Sequence, residues 1–208
     1  MVVLLATLTT ACAGKSDPPD YAAMLRPGVP IELAEYRKAS IADLRYEVTL
    51  SIPDAAVGEI TGSVTARFEH ATGGQDAIFD FAQPADHVLG VTVAGEAIEY
   101  RVHGEHVIVP AASVRMGANE IRIAFIAGNG SLNRNADYLY TLFVPDRARV
   151  AMPVFDQPDL KARIAWTLEV PAAWEAIANG PLVERSEQGD RATWSFAESE
   201  PVSSYIFA

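Results

Sequence analysis

Leu44-Arg-Tyr-Glu-Val-Thr-Leu-Ser-Ile-Pro53 decides the fold class. Leu44, Tyr46, Val48, Leu50 and Ile52 occupy every second position, with Arg45, Glu47, Thr49 and Ser51 between them. Successive side chains of a strand point to opposite faces, so this period of two buries one face and wets the other. Pro53 ends the strand because it has no N–H to give to a ladder.

The same alternation or β-branched richness recurs outward from this stretch. Strands are expected over residues 60–70, 77–81, 88–93, 98–102, 107–109, 121–126, 138–143, 164–170, 182–186, 191–196 and 204–207. Ala94-Gly95 and His103-Gly104-Glu105 separate short strands as hairpin connections, with glycine supplying positive φ. Gly128 to Asp137 is rich in residues that tolerate left-handed backbone and reads as a long turn. Only residues 31–39, after Pro30, have a helical composition. Strands that follow one another with turn signals about every 8–12 residues predict an all-β domain, an antiparallel saddle or sandwich with a short leading helix. A doubly wound parallel sheet is excluded, and no linker divides the chain after Asp20.

The chain has 208 residues, half of them apolar, which is enough to fill one core. Its net charge of −11 repels phosphate backbones and anionic lipid surfaces, so no nucleic-acid partner is expected. Residues 1–11 form an apolar run that ends in small residues before Cys12, the layout of a bacterial lipoprotein signal, although no Lys or Arg precedes that cysteine. Cys12 is then the lipidation site, and residues 12–30, with Pro18 and Pro19, are the tether. The expected location is the bacterial cell envelope, periplasmic or held to the membrane through that lipid alone. The alternative is a tail with an incidental thiol. A single cysteine allows no internal disulfide and no cysteine-based zinc site. The last expected strand, Tyr205-Ile-Phe-Ala208, has an apolar face and no turn after it, so the domain spanning residues 31–208 is expected to continue or to be truncated there.

Catalytic groups are scarce. The four histidines, His70, His87, His103 and His106, form no His-Glu-x-x-His motif, and no Gly-x-Ser-x-Gly or phosphate-cradling loop is present. His103, Glu105 and His106 straddle a hairpin tip without a further ligand in view, and solvent-exposed turn histidines are the expectation there. Glu184 with Glu187, and Glu198 with Glu200, read as solvated charge. No catalytic or metal residue is therefore assigned, and no cofactor is expected within this chain.

Tyr138-Leu-Tyr-Thr-Leu-Phe-Val-Pro-Asp-Arg-Ala-Arg-Val-Ala-Met-Pro-Val-Phe-Asp-Gln-Pro-Asp-Leu-Lys-Ala162 resembles the segment of the aminopeptidase N family that runs from an Ala-Arg pair to Phe-Pro-Cys-Phe-Asp-x-Pro-x-x-Lys-Ala. Tyr46-Glu-Val-Thr-Leu, Gly62, Ile78-Phe-Asp-Phe, Gly117-Ala-Asn-Glu-Ile, Asn179-Gly180 and Ser203-Ser-Tyr-Ile-Phe-Ala are consistent with it. The resemblance implies the non-catalytic front β domain of a zinc metallopeptidase. That domain leans on a thermolysin-like zinc domain, which is not among these residues and through which peptides would be bound. The family's front domain supplies one acidic or amide side chain for the substrate's α-amino group. An ungapped count places Val144 there, and valine cannot accept from an ammonium group, so no substrate residue is carried over. Val154 stands where the family has cysteine. Either amine recognition has changed or a gap shifts the register.

Asp146, Arg147, Arg149, Asp156, Gln157 and Lys161 are the candidate residues of a loop that faces the cleft or docks the zinc domain. Local pairing that fixes the loop is the competing reading of its charges. Pro153 and Pro158 stiffen it. Against this stands a free-standing β-sandwich binding lipoprotein, which predicts no large exposed apolar patch.

Overall fold

The structure is a computed structural model that describes residues 20–54, 57–135 and 137–208. Cys12, the signal over residues 1–11 and the first part of the tether lie outside the described residues. The rest of the tether, residues 20–30, packs on the domain. Asp20 caps the helical turn α1 (Tyr21–Met24) by accepting from the Ala23 N–H, and Met24 is buried.

The expected leading helix is α2 (Ile31–Ser40), which buries Leu33, Arg37 and Ser40 along one stripe. The strands are β1 (Ile41–Ser51), β2 (Thr61–His70), β3 (Ala77–Asp80), β4 (Val88–Val93), β5 (Glu96–Ala97), β6 (Arg101–His103) and β7 (His106–Val109). They continue with β8 (Gly117–Ile126), β9 (Leu132–Arg134), β10 (Leu139–Thr141), β11 (Arg163–Pro171), β12 (Leu182–Gln188) and β13 (Arg191–Phe196). A helical turn α3 (Ala148–Ala151) precedes Met152.

One sheet runs β12-β13-β11-β1-β2-β8-β4-β5, a second β3-β7-β6, and β9 pairs with β10 alone. Among the described residues every pairing is antiparallel except one: β1 and β11 run parallel, from Arg45 opposite Arg163 to Ser51 opposite Glu169. The chain reaches β11 only after building both smaller sheets, so it is not bound to the reversal that a tight hairpin imposes.

The alternation read in β1 continues across the large sheet. Tyr46, Val64, Ile123 and Ile164 face the main core, while Glu47, Thr65 and Arg122 face outward. β3 and β7 are buried at every position, because the small sheet has a layer on each side. Phe79, Val107 and Val109 face the large sheet, and Ile78 and Ile108 meet Met24 and Leu33 of the two helices. Helices, small sheet and large sheet therefore stack as layers, which is the sandwich alternative of the sequence reading with helices added on one side.

Two expected strands take other forms. Residues 98–100 are irregular before β6, and residues 204–206 form a 3-10 turn whose Phe207 enters the core.

Candidate functional site

The loop from Val144 to Ala162 enters the domain twice. α3 buries Ala148 and Ala151, and Met152 to Gln157 then run fully buried behind it. Phe155 stacks on Phe79 with ring centroids 4.3 Å apart and meets Phe68 edge-on at 5.8 Å. Its N–H donates to the Tyr46 hydroxyl at 2.8 Å. Val154, at the family's cysteine position, is buried and exchanges main-chain hydrogen bonds with Asp80.

Asp80 is the hub behind this loop. The Arg37 guanidinium grips both its oxygens, at 2.8 and 2.7 Å, and also donates to the Ile78 carbonyl. The Asp156 N–H reaches Asp80 Oδ2 at 2.8 Å. Nδ1 of His106 lies 3.1 Å from Asp80 Oδ1, and Nε2 lies 2.9 Å from the Arg26 carbonyl. Arg37, Asp80 and His106 are wholly inaccessible. Burial pushes the Asp80 carboxyl up, but the Arg37 charge and the hydrogen bonds from His106, Arg37 and Asp156 outweigh it and hold it below the ordinary range. Asp156, also buried, goes the other way: desolvation raises it despite hydrogen bonds from Ser204 Oγ (2.6 Å) and the Arg149 N–H (3.1 Å).

The candidate residues of the loop thus divide. Asp156 and Gln157 are buried and brace the interior, Gln157 Nε2 donating to the Ala34 carbonyl and to Asp159. Arg149 pairs with Asp146 (2.9 Å), Glu105 (3.2 Å) and Asp156 (3.5 Å), so its charge is spent locally. Arg147 is exposed and donates to the Gly130 carbonyl. Lys161 is exposed. Of the six, only Asp146, Arg147 and Lys161 present side chains to the surface.

The turn histidines need correction. His103 is exposed as expected, but His106 is buried, with both ring nitrogens already facing oxygen acceptors. It sits one residue past the tip, at the start of β7, where both faces are already covered. These side chains do not fit a zinc site, and no group of three or more His, Cys, Asp or Glu among the described residues does.

Asp80, Arg37 and His106 were not singled out as a set from the sequence. The available signal was a lone carboxylate within Ile78-Phe-Asp-Phe81, since a charge in a fully apolar strand requires a buried cation.

On the surface side, the even-numbered residues of β10 and its flanks point outward. Tyr138 and Tyr140 stack at 5.8 Å, Leu142 follows, and Val144 is 67 % exposed. The odd-numbered Leu139, Thr141 and Phe143 point in against Leu50, Ile52 and Trp166. Val144 offers only methyl groups to the surface.

Residues 129–206 match the Peptidase M1 N-terminal domain. Aminopeptidase N of Streptomyces lividans is 32 % identical over 189 residues, covering 85 % of this chain and 21 % of that protein. Aminopeptidase M1-A of Oryza sativa subsp. japonica is 28 % identical over 196 residues, covering 80 % of this chain and again 21 % of its relative. The chain therefore spans about a fifth of the length of these curated relatives. Among solved structures, an M1 zinc metallopeptidase from Deinococcus radiodurans superposes with a TM-score of 0.70 at 21 % identity, covering 80 % of this chain and 40 % of that one. That likeness speaks for the fold. The sequence relatives, the domain match and the Phe155-Asp-Gln-Pro-Asp-Leu-Lys-Ala162 core agree, and the chain is an N-terminal domain of the M1 aminopeptidase family.

Proposed function

We propose that the chain is the front, non-catalytic β domain of an exported zinc aminopeptidase, docking on a catalytic domain outside these residues and shaping its cleft. The observation that carries this reading is the outward apolar strip Tyr138, Tyr140, Leu142 and Val144 within the family-matched segment. A strip of contiguous large apolar groups on a small acidic domain is unfavourable in water and is characteristic of a covered surface. Asp146 and Arg147 follow after Pro145, giving the strip a polar rim. Zinc and peptide hydrolysis then belong to the companion domain, and this chain supplies packing. A free-standing binding lipoprotein predicts no such patch, so the strip weighs against it.

The chain alone is expected to bind 8-anilinonaphthalene-1-sulfonate and to self-associate as its concentration rises. Replacing Tyr138, Tyr140, Leu142 and Val144 together by Ser should abolish both without lowering the melting temperature. A strictly monomeric parent chain that binds no dye overturns the docking reading, as does aminoacyl-p-nitroanilide hydrolysis by the pure zinc-loaded chain that disappears on His106→Ala. The export part rests on residues 1–12, and an unmodified Cys12 in the mass spectrum of the envelope fraction ends it.

A further inference from the structure

β10 is paired on one side only. The Asn135 N–H donates to the Tyr138 carbonyl at 3.0 Å and the Leu142 N–H to the Ser131 carbonyl at 2.8 Å, while Tyr140 lies opposite Asn133. Residues 138, 140 and 142 therefore spend their main-chain groups on the β9 side, and the alternation of an antiparallel ladder turns the N–H and C=O groups of Leu139 and Thr141 the other way. None of those four groups has a hydrogen bond from the described residues.

Beside this open edge lies a cavity of about 160 Å³, floored by Leu50, Trp166 and Leu168 and walled by Leu139 and Trp174. Glu175 stands on its rim, exposed and without an ion-pair partner among the described residues. Unpaired strand groups, an apolar cavity and a single carboxylate sit together.

We propose that this groove takes an extended peptide segment by β-addition. The segment's main chain runs antiparallel to β10 and completes it through Leu139 and Thr141, its alternate apolar side chains fill the cavity, and a Lys or Arg meets Glu175. That the segment belongs to the companion domain rests on the function proposed above; the chemistry of the groove does not. The geometry also fixes which residues of the segment do what. Residues that pair with Leu139 and Thr141 put their side chains on the same face as those two, which is the cavity side. Their N–H groups, and not those of the intervening residues, point at β10.

The test uses the blocked peptide acetyl-Lys-Val-Thr-Val-Thr-Val-amide with the 208-residue chain. Saturable quenching or shift of tryptophan fluorescence is expected, with slowed amide exchange at Leu139 and Thr141. Methylating the valine nitrogens should weaken binding about tenfold or more, whereas methylating the threonine nitrogens should leave it within about threefold. Glu in place of the peptide Lys should also weaken it. Thr141→Pro removes an outward-facing N–H that β9 does not use and should reproduce the loss, while Thr141→Val, which lacks only the hydroxyl that donates to the Phe207 carbonyl, should not. Equal affinity for the two methylated peptides, or no binding of the parent peptide, overturns the proposal. Either result leaves the dye and self-association test of the outward strip standing, because Tyr138, Leu142 and Val144 do not line the cavity, and Tyr140 alone borders both.

Discussion

Asp80 and Asp156 are two buried carboxylates joined through one main-chain N–H, yet they carry opposite energetic signs. Asp80 holds a buried guanidinium, so Asp80→Asn leaves Arg37 charged and unpaired in the core, at about 3–5 kcal/mol. Asp156 accepts at close range from a hydroxyl and an N–H, the Arg149 guanidinium lies farther off at 3.5 Å and keeps Asp146 and Glu105 as partners, and Asp156→Asn keeps an oxygen for the Arg149 N–H while Ser204 can turn to accept. Its cost at neutral pH should be about 1 kcal/mol or less. The pH dependence separates them further. The depressed Asp80 carboxyl contributes stability that is complete above its ordinary value near 3.8 and is lost as acid carries the pH through the lower folded value. The raised Asp156 carboxyl binds its proton more tightly in the folded state, so stability falls as the pH rises from near 3.8 through the higher folded value. Urea unfolding between about pH 3 and pH 7 should therefore show Asp80→Asn converging on the parent at the acid end, and Asp156→Asn gaining on the parent as the pH rises from that end. Parallel curves for the two variants would contradict the assignment.

Elements whose faces see one layer each were legible in the sequence. β1, β2, β8, β11 and β13 alternate because one side is core and the other is water, and their periodicity announces it. What stayed hidden depends on partners far along the chain. β3 and β7 have no alternation because two layers cover them, and the burial of His106 follows from α1 and its following residues folding back over the β6–β7 turn, where Glu105 accepts from the Gly28 N–H at 2.9 Å. The C-terminal residues 204–206 look like a strand because Phe207 is apolar, but one buried ring needs no ladder. Of the candidate loop, its stiffness and local pairing could be read from Pro153, Pro158 and the mixed charges, whereas Asp156's partner Ser204 lies 48 residues on and carries no pattern. Gly62, noted as consistent with the family, has a physical reason inside β2: a Cβ there would stand 2.4 Å from the Thr49 carbonyl oxygen and 2.7 Å from a Leu50 methyl. Backbone cannot step aside as a flexible side chain would, so Gly62→Ala should destabilise by about 1–3 kcal/mol, read as a lower denaturation midpoint with an unchanged slope. A neutral result would mean that β1 and β2 are more loosely registered than Leu50 opposite Gly62 indicates.

At the scale of the molecule, Phe155 ties the layers into one unit. Its ring lies between Phe79 of the small sheet and Phe68 of the large one, the Arg37 guanidinium of α2 sits 5.2 Å from its centroid, and its N–H is held by Tyr46 of β1. Both sheets and the helix thus share one side chain, and the Arg37–Asp80 pair is sealed by the same ring. Separate melting of the helix-and-small-sheet layer would expose that ion pair to water and strip the apolar face of the large sheet at once, so the layers should unfold together. The three tryptophans, Trp166, Trp174 and Trp194, belong to the large sheet and the segment just after β11, so their fluorescence reports that layer, while far-ultraviolet circular dichroism at helix wavelengths weights α2. Coincident urea transitions by the two probes are expected for the parent chain. Phe155→Ala opens a cavity where three elements meet and should lower stability by about 3–5 kcal/mol, shifting both probes equally. If the circular dichroism transition moved to lower urea while the fluorescence transition stayed in place, the helices and small sheet would be a separable cap, and the outward apolar strip on β10 would then stand on a large sheet that keeps its shape without them.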